Sequence, residues 1–179
     1  MTTALLIYAH PHHSRSVANR VLLDAVADLP GLTVQRLYDR YPDFAIDVAA
    51  EQALLAAHRL IIWQHPLYWY TTPALLKLWF EDVLTRGWAF GPGGTALAGK
   101  HCLWVTTTGG LDEAFTPDGM HAHPFASFTP VVQQTARFCG MHWLEPIVVH
   151  GAHRTAPAAL AQQAAAYRAR IEQWMAEHA

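Results

Sequence analysis

Three short stretches carry the side chains that could do chemistry. The first, ALLIYAHPHHSRSVAN over residues 4–19, passes from an aliphatic run (Leu5, Leu6, Ile7, Tyr8) into a histidine-rich loop and then into a helix opening near Ser16. A buried strand that turns directly into a helix start brings backbone N–H groups and the positive end of the helix dipole to the strand's carboxyl edge. Open α/β sheets bind ligands at that edge. His10, Ser16 and Asn19 could hydrogen-bond a single phosphate there, with His10 as a candidate positive charge. The loop has no G-x-G-x-x-G, so the expectation is a mononucleotide cradle or, more plainly, a polar strand-to-helix loop.

The second stretch is Pro66-Leu67-Tyr68-Trp69-Tyr70-Thr71-Thr72, which puts three aromatics side by side in a connection that should face solvent. Exposed aromatic surface is unfavourable unless covered, which implies a planar ring or a partner subunit, unless these rings only cap the end of the sheet. The third is Thr106-Thr107-Thr108-Gly109-Gly110. Its glycines let the backbone approach a ligand closely, and its N–H groups could stabilise charge appearing on a heteroaromatic ring as that ring is reduced. A plain strand-end turn would use the same glycines.

Other chemistries lack their residues. Gly94 to Lys100 fits the start of a phosphate-binding P-loop, but His101 stands where Ser or Thr must hold Mg²⁺, and a strand follows where a helix is required. His10, His12, His13, His65, His121 and His123 could share one edge, yet no H-E-x-x-H or CxxC spacing supports a metal site, and none is expected. No G-x-S-x-G elbow occurs, which removes the α/β-hydrolase mechanism. His58, His101 and His150 read as core or surface residues.

The elements that must position these loops alternate. Strands are expected at Leu5–Tyr8, Thr33–Leu37, Leu60–Gln64, His101–Val105 and Ile147–His150, with Tyr38–Asp47 irregular because of Pro42. Between them, Ala18, Val21, Leu22, Ala25, Val26 and Leu29 repeat at helical spacing before Pro30-Gly31, and VAAEQALLAA (48–57) favours helix by propensity. Thr72-Pro73 and Thr129-Pro130 read as N-caps with proline at the first helical position, and Thr155 with Pro157 introduces the last helix. Strand and helix alternating five times predict a parallel five-stranded sheet covered on both faces, order 2-1-3-4-5.

With 179 residues, the chain is the size of one domain, spanning 1–179. A hydrophobic fraction of 52% supplies a core, and a net charge of −2 argues against nucleic acid as a partner. Cys102 and Cys139 sit in apolar surroundings and should pack as small hydrophobes, which favours a reducing cytoplasm. No apolar run approaches the roughly 18 to 20 residues of a membrane span, and no signal peptide is expected.

Together IYAHPHHSRSVAN, YPDFAID, WQHPLYWYTTPALLKLWFEDVLTRGWAFGPGGTALAGK and TTTGG resemble the flavodoxin-like NAD(P)H:quinone oxidoreductases. Within these, the likeness is to the ancillary flavoproteins of glutathione-gated Kef potassium efflux systems. The resemblance implies a flavodoxin-like three-layer sandwich, a homodimer, and FMN (alternatively FAD) at the sheet edge, with NADH or NADPH as co-substrate and a quinone-type acceptor. It matches His10, Ser16, Val17, Ala18 and Asn19 to the phosphate loop. Pro66, Leu67, Tyr68, Trp69 and Tyr70 match the loop lining the ring, and Thr107, Thr108, Gly109 and Gly110 the loop at its pyrimidine edge. Relatives place a Tyr and a His beyond the last loop. Here Phe115 takes the Tyr position, and His121 is the better match for the His, with His123 the alternative. The resemblance also implies a cytoplasmic protein that a Kef-type antiporter could hold at the inner membrane.

Overall fold

The computed structural model describes residues 3–179. Its sheet is parallel throughout and ordered β2-β1-β3-β4-β5, with β6 beside β4 on the same outer edge. The strands are β1 (Ala4–Tyr8), β2 (Leu32–Arg36), β3 (Leu60–Pro66), β4 (His101–Thr107), β5 (His142–Trp143) and β6 (Ile147–Val149). The expected order 2-1-3-4-5 holds, with one difference at the fifth position. That position is split: the Leu144 N–H still reaches the Cys102 carbonyl at 2.9 Å, but the ladder stops at Glu145-Pro146, where Pro146 has no N–H to give it.

The helices are α1 (Ala18–Val26), α2 (Leu37–Arg40), α3 (Val48–Ala57), α4 (Ala74–Val83), α5 (Thr129–Phe138) and α6 (Pro157–Glu177). Alternation along the strands sorts them into two layers. Leu5, Ile7, Ile61, Trp63, Cys102 and Trp104 face a core shared with α2, α3, α4 and α5. Leu6, Tyr8, Ile62, Leu103 and Val105 face the opposite core, filled by α1 and α6. The central strands are buried on both faces, which is why they read as continuous apolar runs. Cys102 and Cys139 are free thiols within the first core, and burial pushes both thiols up from their ordinary pKa, Cys139 to about 11.

Several boundaries differ from expectation for local reasons. α2 is a single turn that begins at Leu37, expected as the end of a strand, runs into the segment read as irregular, and is capped by Tyr41 before Pro42. α4 begins after Pro73, and the Thr72 hydroxyl is buried without a partner instead of capping it. Thr129 is the first residue of α5 and not its cap. Thr155 turns its hydroxyl back to the carbonyls of His150 and Gly151, and Ala156 takes the N-cap position of α6. No helix among the described residues is long and apolar enough to cross a membrane.

Candidate ligand groove at the carboxyl edge

The loops after β1, β3 and β4 meet at one rim. A cleft of about 350 Å³ is lined there by His10, Ser16, Val17, Ala18, Asn19, Pro66, Leu67, Tyr68, Thr107, Thr108 and Gly109, joined by His12, Arg15, Ala152 and His153. A second hollow of about 230 Å³ shares Leu67, Thr108 and Gly109 with the first and continues past Trp69, Tyr70, Gly110, Phe115 and His121. Every candidate site residue from the sequence therefore borders one continuous groove. His123 does not line it; its ring lies edge-on to Phe128 at 6.3 Å.

At the α1 end, the cradle is built from buried polar groups. α1 has no side-chain cap, so its first N–H groups are left for a ligand or water. Asn19 is 1% exposed, and its Nδ2 donates to Thr107 Oγ1 at 2.7 Å. Gln64, fully buried in β3, donates to the Asn19 carbonyl at 2.9 Å and accepts from the Tyr167 hydroxyl at 3.3 Å. This network leaves the Asn19 Oδ1 buried with no partner.

His10 departs from the positive role the sequence suggested. Its Nδ1 accepts the His12 N–H at 3.0 Å, so the network puts the proton on Nε2. Burial, together with the neighbouring His13 and His12, pulls its pKa down to about 4. His10 therefore offers a ligand a neutral N–H donor.

The far end is built differently. Tyr68 and Thr71 exchange backbone hydrogen bonds of 3.1 and 3.0 Å around Trp69 and Tyr70. Those two central residues have φ of 50° and 63°, the left-handed region that glycine and asparagine adopt and bulky residues rarely do. Trp69 stands 91% exposed at the tip. Tyr70 stacks on Phe128 at 5.0 Å, and its hydroxyl meets His121 Nδ1 at 3.3 Å. His121 in turn stacks on Phe115 at 4.2 Å, and its Nε2 is buried without a partner.

The floor is the Thr107–Gly110 backbone. A Cβ on Gly109 would meet nothing within 4 Å, so that face is open to the groove. One on Gly110 would stand 2.5 Å from His121 Nε2, so the imidazole sits where it does because residue 110 has no side chain.

Sequence reasoning missed His12 and Arg15 as lining residues, and two further features. Ala152 and His153 reach the cleft from the turn after β6, although the carboxyl-edge rule applied to HGAHRT would have brought them in. The Tyr70–His121 pair has no linear signal, because its members are 51 residues apart. Among the described residues, no group of three or more His, Cys, Asp or Glu could hold a metal ion.

Comparison with known proteins agrees with this architecture. A family model described as a flavodoxin-like fold matches residues 2–174. The chain is 47% identical over 171 residues to the glutathione-regulated potassium-efflux system ancillary protein KefF of Salmonella typhi, covering 95% of this chain and 96% of that one. Among solved structures, general stress protein 14 of Treponema denticola, in complex with FMN, is 35% identical with a TM-score of 0.88, covering 96% and 98% of the two chains. An NADPH-quinone reductase of P. pentosaceus is 30% identical with a TM-score of 0.85 over 94% and 97%. A structure described as a thermophilic tryptophan halogenase, from Streptomycin violaceusniger, is 40% identical with a TM-score of 0.89 over 93% and 97%.

Proposed function

The chain belongs to the flavodoxin-like family, and on that premise we propose that it is a flavin-dependent oxidoreductase that passes two electrons from NADH or NADPH to a quinone-type acceptor. The observation that carries this reading is the single groove joining an uncapped helix end to a slot walled by Trp69, Tyr70, Phe115 and His121. One end suits a phosphate and the other a flat ring. The unpartnered Asn19 Oδ1 and His121 Nε2 are the polar atoms such a ligand would satisfy. The FMN held by the Treponema relative supports FMN over FAD.

Bound there, the flavin would supply the hydride and two-electron chemistry, which is the cofactor's own. The chain's residues would do the rest. The α1 N–H groups and His10 Nε2–H hold the phosphate. Leu67, Trp69 and Tyr70 cover the ring and keep water from it. The N–H dipoles around Gly109 and Gly110 favour negative charge on the ring's polar edge. In this reading the Tyr70 hydroxyl, 3.3 Å from His121 Nδ1, would donate to it and so place an N–H at Nε2 to donate toward the ring or to hand a proton to the acceptor.

The decisive measurement is the purified protein's absorbance near about 450 nm, the band of any oxidised flavin, and its bleaching by NADH or NADPH. Mass analysis of the released cofactor separates FMN from FAD. His121→Ala should slow quinone turnover by about 10²-fold while changing riboflavin phosphate affinity little. Equal turnover in variant and parent removes His121 from the mechanism.

A second reading rests on the 47% identity to KefF over nearly the whole of both chains. In it, the protein is an ancillary subunit of a Kef-type potassium antiporter, docked at the inner membrane from the cytoplasm. The exposed rim of Trp69, Tyr70 and Met120 then faces a second protomer or that partner. Co-purification with such an antiporter, and potassium efflux that survives loss of turnover, favours this reading. No binding at micromolar concentration counts against it.

A further inference from the structure

Behind the groove floor lies His150, which lines neither hollow itself but is hydrogen-bonded to the Thr108–Gly110 loop that does. The His150 imidazole packs against Phe115 and Phe125, with ring centroids 5.3 and 5.2 Å away. Its Nδ1 is 3.0 Å from Thr108 Oγ1, and the Thr108 hydroxyl donates to the Gly110 carbonyl at 2.7 Å. The same carbonyl accepts the Gly151 N–H at 2.8 Å, and the Ala152 N–H reaches the Thr108 carbonyl at 2.8 Å.

A hydroxyl has one proton. Because that of Thr108 goes to Gly110, the His150 nitrogen facing it must be the donor, which fixes the tautomer as Nδ1–H. The other nitrogen, Nε2, is 3.4 Å from the exposed Asp112 carboxylate, beyond an ordinary hydrogen bond. Burial lowers the His150 pKa while Asp112 opposes it, so the ring is neutral at pH 7 and carries a single proton.

We propose that His150 is a positioning residue for the ligand groove: by donating to Thr108 it directs that hydroxyl into the loop, pins the Gly110 carbonyl and so aims the Gly109 and Gly110 N–H groups at the ring. Without that donor the hydroxyl is free to turn, and Gly110 keeps only its bond from Gly151. Dipoles that wander matter most to the form of the ligand carrying negative charge. The loss therefore falls on the reduced flavin more than on the oxidised one. The consequence for the ring rests on the function proposed above; the clamp does not.

The test compares His150→Phe, which fills the aromatic pocket without a donor, with His150→Asn, whose amide can take the place of Nδ1–H. In protein free of flavin, His150→Phe should raise amide hydrogen exchange at Gly151 and Ala152 by about tenfold, and His150→Asn should stay near the parent. With riboflavin phosphate bound, His150→Phe should keep its oxidised affinity within about threefold. It should also lose roughly tenfold of its preference for the reduced form, a fall in midpoint potential of about 30 mV for a two-electron couple. Thr108→Val removes the next link and should raise exchange at Gly151 and Ala152 by the same factor; because Thr108 also lines the groove, only its exchange rates are compared. Combining it with His150→Phe should add nothing further.

Parent-like exchange and potential in His150→Phe overturn the proposal. So does an Asn variant as impaired as the Phe one. A parent protein that binds no riboflavin phosphate overturns the consequence for the ring together with the flavin reading, while the exchange rates still decide the clamp.

Discussion

The two ends of the groove hold their shape by opposite means. The α1 end is set by buried polar groups on ordinary backbone: Gln64 holds the Asn19 carbonyl, Asn19 holds Thr107, and all three are inside the molecule. The Tyr68–Thr71 end is set by strain, with Trp69 and Tyr70 in left-handed conformation and Trp69 almost wholly in solvent. The first arrangement stabilises the fold, and the second opposes it. A site for a phosphate needs fixed donors, which the core can supply. On the function proposed above, a flat ring needs aromatic faces presented outward, and the core gains nothing from that, so the strain accompanies that presentation.

Acid should act most strongly on the α1 end and on the core beside it. His10 and His65 both have pKa values lowered to about 4, His10 by burial and its histidine neighbours and His65 by complete burial. The unfolded values are near about 6.5, so between pH 6.5 and 4 the unfolded chain binds more protons than the native one. The stability contributed by the neutral rings is thus fully present above pH 6.5 and is lost as pH falls toward 4, by up to about 3 kcal/mol for each ring. Denaturant midpoints across that window should fall for the parent and fall less for His10→Asn. A flat profile in the parent contradicts the buried neutral state of both rings. His65 has a structural reason to stay neutral, since its Nε2 accepts the Trp104 indole N–H at 2.8 Å.

Removing the support beneath the α1 end comes next in size. Gln64→Leu leaves the Asn19 carbonyl and the Tyr167 hydroxyl buried without their partner, which should lower unfolding free energy by about 2 kcal/mol. Riboflavin phosphate affinity should fall with it, because Asn19 loses its anchor. A denaturant midpoint equal to the parent's at unchanged slope would mean the network is replaceable by packing alone.

The contrast between the ends also decides what could be read from the residues in order. The strand order followed from apolar runs alternating with helical repeats, and the place of the first candidate loop at the carboxyl edge from a strand that turns straight into a helix. Both are local patterns. The broken fifth strand was not legible as broken, because its two halves pair with β4 separately and only the tertiary ladder shows it. The aromatic loop was legible as exposed, but its left-handed turn was not. Trp-Tyr contradicts the Asn-Gly chemistry that normally signals such a turn, so local preference pointed away from the observed shape. His150, read as a core or surface residue, gains its meaning only from Thr108, 42 positions away.

Relieving the strain should therefore reverse the sign of the effect. Trp69→Asn combined with Tyr70→Gly gives the turn the residues its backbone favours, and should raise unfolding free energy by about 1 to 2 kcal/mol. The same change removes the aromatic walls, so affinity for riboflavin phosphate should drop while stability improves. A variant that is less stable than the parent would show that Tyr70 packing on Phe128 outweighs the backbone strain.

The smallest change addresses the one polar contact at the aromatic end. Tyr70→Phe keeps the ring and its stack on Phe128 but deletes the hydroxyl facing His121 Nδ1 at 3.3 Å. That bond is long and exposed, so its loss should leave the unfolding midpoint unchanged within about 0.5 kcal/mol. Its effect belongs instead to the tautomer: without the donor, Nδ1 can take the proton and Nε2 can face the groove as an acceptor. Quinone turnover should fall by about threefold to tenfold, with riboflavin phosphate binding unaffected. If turnover is unchanged, water replaces the tyrosine at Nδ1, and the pairing of loops 51 residues apart is a matter of shape and not of proton placement.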